Sequence, residues 1–246
     1  MKIAIVGNSH LAALKLAVRS DLFARGRLDI SFWGLPGPNF HSITYSGGLL
    51  QTPCKSFVLR ISDGQFESLP VREFDAIVFH GAALDVSDYL LSLRKASEHL
   101  RCYSNALLEE GLRSCIEKVP AWSLVRSLRA EYGGRLLMSA MPLSSEDGSK
   151  FKEMSVTDDE LAHLNDRIRA VLCKIGVDYV PQPLDTIRDG KYTKREFCVD
   201  SVRLAAKLCY KHPDDDYIHM NEQYGVRVLR AVGERLSAPS PRISEN

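Results

Sequence analysis

Short apolar runs alternate with longer amphipathic stretches along this chain, and that alternation constrains its fold more than any other feature. Residues 2–6 (KIAIV), 28–34 (LDISFWG), 75–81 (DAIVFHG), 135–142 (RLLMSAMP) and 177–181 (VDYVP) read as strands. Between them lie helical patterns. Leu11, Leu14, Val18 and Leu22 share one face of a helix expected over 10–25. Further helices are expected over 86–100, over 105–117 and after Pro120. Thr157, with Glu160 in the capping-box position, opens a helix that buries Leu161, Leu164, Ile168, Leu172 and Ile175. A last helix over 222–236 places Val226, Leu229, Val232 and Leu236 on one side. The stretch 201–210 also reads as helical. The long excursion over 35–74 is expected to hold two short strands, at 57–61 and 66–69.

Strands that alternate with helices build a parallel sheet covered on both faces. The expected fold is therefore α/β, a flavodoxin-like three-layer α/β/α sandwich with a five-stranded parallel sheet in the order 2-1-3-4-5. One domain is expected over residues 1–236, with a disordered tail over 237–246 (SAPSPRISEN). In such sheets ligands sit at the carboxyl ends of the strands, where the strand order reverses.

Composition limits the partners. Thirty-two Lys and Arg stand against 31 Asp and Glu, a net charge of +1, which excludes binding of nucleic acid or an anionic membrane by bulk charge. No apolar run approaches the ~18 residues needed to cross a bilayer. The N-terminus turns polar too soon for a secretory signal. The 6 cysteines include no C-x-x-C pair, so reduced thiols and a cytoplasmic location are expected. No histidine spacing of the metalloenzyme type occurs, and no metal is expected. Oligomeric state is not encoded in any pattern of the chain.

Two places carry candidate chemistry. The turn after the first strand, Gly7-Asn8-Ser9-His10, lacks the glycines of a dinucleotide loop. A serine there exposes its hydroxyl above the sheet; it could equally cap the helix that follows. Near the other end, Asp216-Tyr217-Ile218-His219 spaces a carboxylate three residues from an imidazole. That spacing lets the carboxylate orient the ring and leaves its far nitrogen free to accept a proton from a serine.

Together the two ends resemble the SGNH (GDSL-type) hydrolase superfamily. Gly7-Asn8-Ser9 is similar to its G-D-S block, with Asn for Asp, and Asp216-x-x-His219 to its C-terminal D-x-x-H block. The resemblance implies a Ser9–His219–Asp216 triad, with no cofactor, hydrolysing a small acyl ester, such as an acetylated carbohydrate or metabolite. It also implies an oxyanion glycine after the second strand, for which Gly34, Gly37, Gly47 and Gly48 are candidates and Gly37 is preferred; Gly81 is a further candidate. The G-x-N-D block is altered: Gly81-Ala82-Ala83-Leu84 puts Ala83 where the oxyanion asparagine belongs. Asn8, Asn39 and His80 are candidate substitutes. Two other readings share the fold: an acyltransferase to a sugar hydroxyl, and a non-catalytic carbohydrate- or partner-binding domain.

Overall fold

A parallel strand buried on both faces must be apolar throughout, and the first strand meets that demand. In the computed structural model, which describes residues 1–20, 28–82, 84–85, 105–146, 157–205 and 210–239, β1 (Lys2–Gly7) is central. β2 (Asp29–Gly34) lies on one side of it; β3 (Ala76–His80), β4 (Arg135–Ser139) and β5 (Val177–Val180) follow on the other. Every pairing is parallel, and the order is β2-β1-β3-β4-β5. The fold is the expected three-layer α/β sandwich.

Side-chain alternation divides the core. Ile3 and Ile5 face α1 (Leu11–Arg19) and the C-terminal helix, whereas Ala4 and Val6 face the opposite layer. That second layer holds α3 (Asn105–Glu117), α4 (Pro120–Glu131) and α5 (Asp158–Cys173), through Leu112, Val125 and Ile168 among others. The Thr157 cap forms as the spacing predicts: its hydroxyl accepts from the Glu160 N–H at 3.2 Å, and Glu160 accepts from the Thr157 N–H at 2.8 Å. The C-terminal helix, α6 (Glu222–Ser237), packs closely on α1 because Gly225 has no side chain. A Cβ there would stand 2.2 Å from the Ala13 carbonyl oxygen.

At the amino end of the sheet, buried Asp178 accepts from Arg135 and Arg235, each at 2.6 Å. Arg135 also donates to the carbonyls of Leu236 and Ala238. This network ties the end of α6 to β4 and β5. α6 runs to Ser237 and Arg135 holds the Ala238 carbonyl; residues 240–246 of the expected tail lie outside the described residues.

Two other expectations change. Residues 57–61 are not a strand but part of α2 (Lys55–Ile61). Short apolar runs do not distinguish the two; here Val58 and Ile61 are buried on one helical side. The short strands of this excursion are Thr44–Ser46, Leu49–Gln51 and Leu69–Pro70, an antiparallel three-stranded sheet. The described part of 201–210 is not helical either. Val202 bridges Lys211 in antiparallel fashion, and the Arg203 N–H donates to the Tyr210 carbonyl at 2.7 Å. The helix expected over 86–100 lies outside the described residues. Among the described residues no helix is long and apolar enough to cross a membrane.

Candidate active site

The parallel register brings Gly7, Gly34, His80 and Ser139 to one edge of the sheet, with Gly7 paired to both Gly34 and His80. Strand order reverses between β1 and β3, the switch point at which sheets of this kind bind ligands. The Asn8 side chain bridges it: its amide donates to the Gly81 carbonyl, and its Oδ1 accepts from the His10 N–H at 3.1 Å. The Leu11 N–H donates to the Asn8 carbonyl and the Ala12 N–H to the Ser9 carbonyl, which starts α1.

Ser9 does not cap that helix. Its Oγ lies 2.9 Å from His219 Nε2. The His219 ring in turn presents Nδ1 to Asp216, at 2.8 Å from Oδ2 and 3.1 Å from Oδ1. Asp216 is held by its own turn, because Oδ1 also accepts from the Ile218 and His219 backbone N–H groups at 3.0 and 2.8 Å. Burial pushes the Asp216 carboxyl up, but those backbone donors and the His219 ring outweigh it and hold the group below its ordinary value. Asp214 and Asp215 are exposed.

The loop is pinned on both sides. Tyr217 accepts at its carbonyl from the Ser145 N–H at 2.8 Å. Asn221 caps α6 through Oδ1 while its Nδ2 donates to the Glu196 and Val199 carbonyls at 2.7 and 2.9 Å.

Two more histidines crowd His219. The His212 ring stacks on it with centroids 3.9 Å apart and planes 8° from parallel; His10 lies 5.3 Å away at 28°. Behind them His80 is fully buried, with Nδ1 3.1 Å from Ser139 Oγ. Burial lowers the His80 pKa to about 4. Burial, then His219 and His80, hold His10 well below the ordinary imidazole value. His41 is exposed on the short helix Gly37–Ser42, and no ring contact joins it to this cluster among the described residues. His212, which stacks on His219, belongs to no motif of the sequence.

Of the expected oxyanion donors, two are reassigned. His80 presents no atom to a substrate because it is wholly buried. The Asn8 amide is engaged with the Gly81 carbonyl, so Asn8 braces the turn. Gly81 is buried at φ +61° directly after β3, and a Cβ there would stand 2.8 Å from Asn8 Oδ1 and 2.9 Å from His10 Cβ. The Ser9 and Gly81 backbone N–H groups have no acceptor among the described residues. Gly37 is exposed at φ +51°, at the start of its short helix, and Asn39 is exposed on the same helix. Ala83 lies outside the described residues.

His212, Asp216 and His219 include donors of the kind that bind divalent metals, within 4.8 Å of one another. The two rings are nearly parallel, however, so their in-plane lone pairs run side by side instead of converging on one ion. A cavity of about 470 Å³ around residues 129–136 lies at the amino end of β4, away from Ser9. It holds none of the expected site residues.

No protein family matches the chain, and no curated protein does. Three solved structures follow a similar course. One is a protein provisionally described as a platelet activating factor from Streptococcus pneumonia (TM-score 0.47, 12% identity, 95% of this chain and 83% of that one). Another is the periplasmic domain of a lipopolysaccharide acetyltransferase from Salmonella ser. Paratyphi A (0.42, 11%, 96% and 84%). The third is provisionally described as an arylesterase from Agrobacterium tumefaciens str. C58 (0.41, 12%, 96% and 98%).

Proposed function

We propose that this protein is a serine-dependent ester hydrolase of the SGNH type that removes a small acyl group, such as acetyl, from a carbohydrate or metabolite. The reading is carried by one observation: Ser9 Oγ, His219 and Asp216 form a continuous chain of contacts at 2.9 and 2.8 Å. A hydroxyl, an imidazole and a carboxylate so ordered are the parts that nucleophilic acyl transfer needs.

Ser9 Oγ attacks the ester carbonyl while His219 Nε2 takes its proton. The carbonyl oxygen becomes an oxyanion, received by the unpartnered Ser9 N–H and a second backbone N–H from Gly81 or Gly37. Asp216 holds the ring with Nδ1–H toward the carboxylate and stabilises the imidazolium. The oxyanion collapses, the alcohol leaves with the proton from His219, and an acyl-Ser9 ester remains. Water, deprotonated by His219, then releases the acid and restores Ser9. No cofactor enters the sequence.

A fluorophosphonate probe tests this reading, because it labels an activated serine and not a capping one. The expected result is one label per chain, lost in Ser9→Ala, together with measurable turnover of nitrophenyl acetate that is lost in the same variant. A folded protein that takes no label and hydrolyses no acyl ester in a Ser9-dependent way removes the hydrolase and leaves a binding domain.

A further inference from the structure

His212 reaches the site from a part of the chain that the D-x-x-H motif does not include. The Val202–Lys211 bridge and a hydrogen bond from the His212 N–H to the Ser201 carbonyl, at 2.9 Å, fix its backbone. Its ring lies nearly flat on His219, with centroids 3.9 Å apart. Its Nδ1 stands 2.9 Å from Asp216 Oδ2, the oxygen that His219 Nδ1 approaches at 2.8 Å. Two near-parallel stacked rings cannot both contain one oxygen in their planes. His219 makes the aligned hydrogen bond, and His212 meets the same oxygen off-plane.

We infer that His212 is a positioning residue of this site, whose ring face holds and covers His219 in line with Ser9 and whose Nδ1 edge stands against the Asp216 carboxylate as an off-plane electrostatic contact. The two parts act differently. The face restrains the His219 ring and shields its Asp216 hydrogen bond from water. The edge draws off some of the negative potential that would otherwise act on the imidazolium formed during reaction. Other charged or titratable groups around the pair are His10, at the start of α1, Arg203, and the cavity neighbours Arg195, Cys198, Asp200, Lys211 and Asp214. Burial, then His219, lowers the His212 pKa, with Asp216 and the Val202 backbone acting in the opposite direction.

The kinetic consequences rest on the hydrolase reading; the structural ones do not. Two readouts are therefore needed: pH-dependent steady-state kinetics on nitrophenyl acetate, and the low-field Nδ1–H proton resonance of His219, assigned by its loss in His219→Ala. In His212→Ala, kcat should fall about tenfold with KM changed less than about twofold, because orientation is lost and binding is not. The acidic limb of the pH profile should move up by about half a pH unit, since Asp216 now acts on His219 alone. The resonance should broaden into solvent exchange. His212→Phe keeps a face without a donor, so it should restore kcat and the resonance but not the limb. His212→Asn returns an N–H near the carboxylate and should move the limb back.

An Ala variant with unchanged kcat and limb overturns the inference, as does a Phe variant that restores both, which would make His212 only a space-filler. Ser9→Ala should abolish turnover and keep the resonance. If the wild type hydrolyses nothing, the hydrolase reading fails and the resonance alone decides. Broadening in Ala with recovery in Phe then supports the role of His212, and a sharp signal in Ala ends it.

Discussion

His219 Nε2 lies 2.9 Å from Ser9 Oγ across a separation of 210 positions in the chain. The contact exists because α6 lies against α1, with Gly225 seated on the Ala13 backbone. The loop before α6 is thereby delivered to the carboxyl edge of β1.

Asp216→Asn keeps the shape of the turn but removes the charge that orients His219. Without that charge the ring loses its preferred tautomer and the imidazolium its counter-ion. Turnover should drop by about 10²–10⁴ with KM within a few-fold of wild type. Steady-state kinetics on an activated ester measures it; a loss confined to KM would place Asp216 in substrate binding instead.

Gly81→Ala introduces a Cβ at φ +61° and within 3 Å of Asn8 Oδ1 and His10 Cβ. Strain and overlap act together, and the variant should lose about 2 kcal/mol of stability. Because the overlap falls on the two residues flanking Ser9, activity should fall further than stability alone explains. Urea unfolding and kinetics on the folded fraction separate the effects.

His80 makes stability depend on pH. Its folded pKa, about 4, lies below the ordinary 6.5, so the unfolded chain binds more protons between those values. Stability from this group is fully present above pH 6.5 and is lost as pH falls toward 4, by about 3 kcal/mol in all. His10 acts with the same sign. Unfolding midpoints measured across this window should fall with pH in the wild type and less steeply in His80→Asn. Equal slopes in the two would show that other groups carry the dependence.

Asp178→Ala leaves Arg135 and Arg235 without their shared carboxylate, which is 3% exposed. Removing one side of a buried ion network costs about 3–5 kcal/mol. The loss should appear in urea unfolding. Any surviving folded fraction should keep wild-type kcat, because the network is at the opposite end of the sheet from Ser9.

Local pattern carried a good part of this molecule. The Thr157–Glu160 capping box formed where its spacing predicts, since both bonds are made within one turn. The strands were legible because burial on both faces demands uninterrupted apolar side chains, and their alternation with helices implies a parallel sheet. Where a run was short, as at 57–61, the same side chains suited a helix, and packing on the sheet edge decided. In the described part of 201–210 a helical pattern yielded to a bridge between Val202 and Lys211, because contacts distant in sequence outweigh weak local propensity.

The sequence by itself determined the fold class, the position of Ser9 at the end of the first strand, and the turn that presents Asp216 to His219. Each of those depends on residues close together in the chain or on a repeating period. Only the tertiary structure decided which side chains surround that turn. It put His212 flat on His219, turned the Asn8 amide to Gly81, and set the buried His80 against Ser139. Those relations join separate elements, and no spacing along the chain encodes them. They are set by how α1, α6 and the described residues 201–205 and 210–212 pack over the same strand ends.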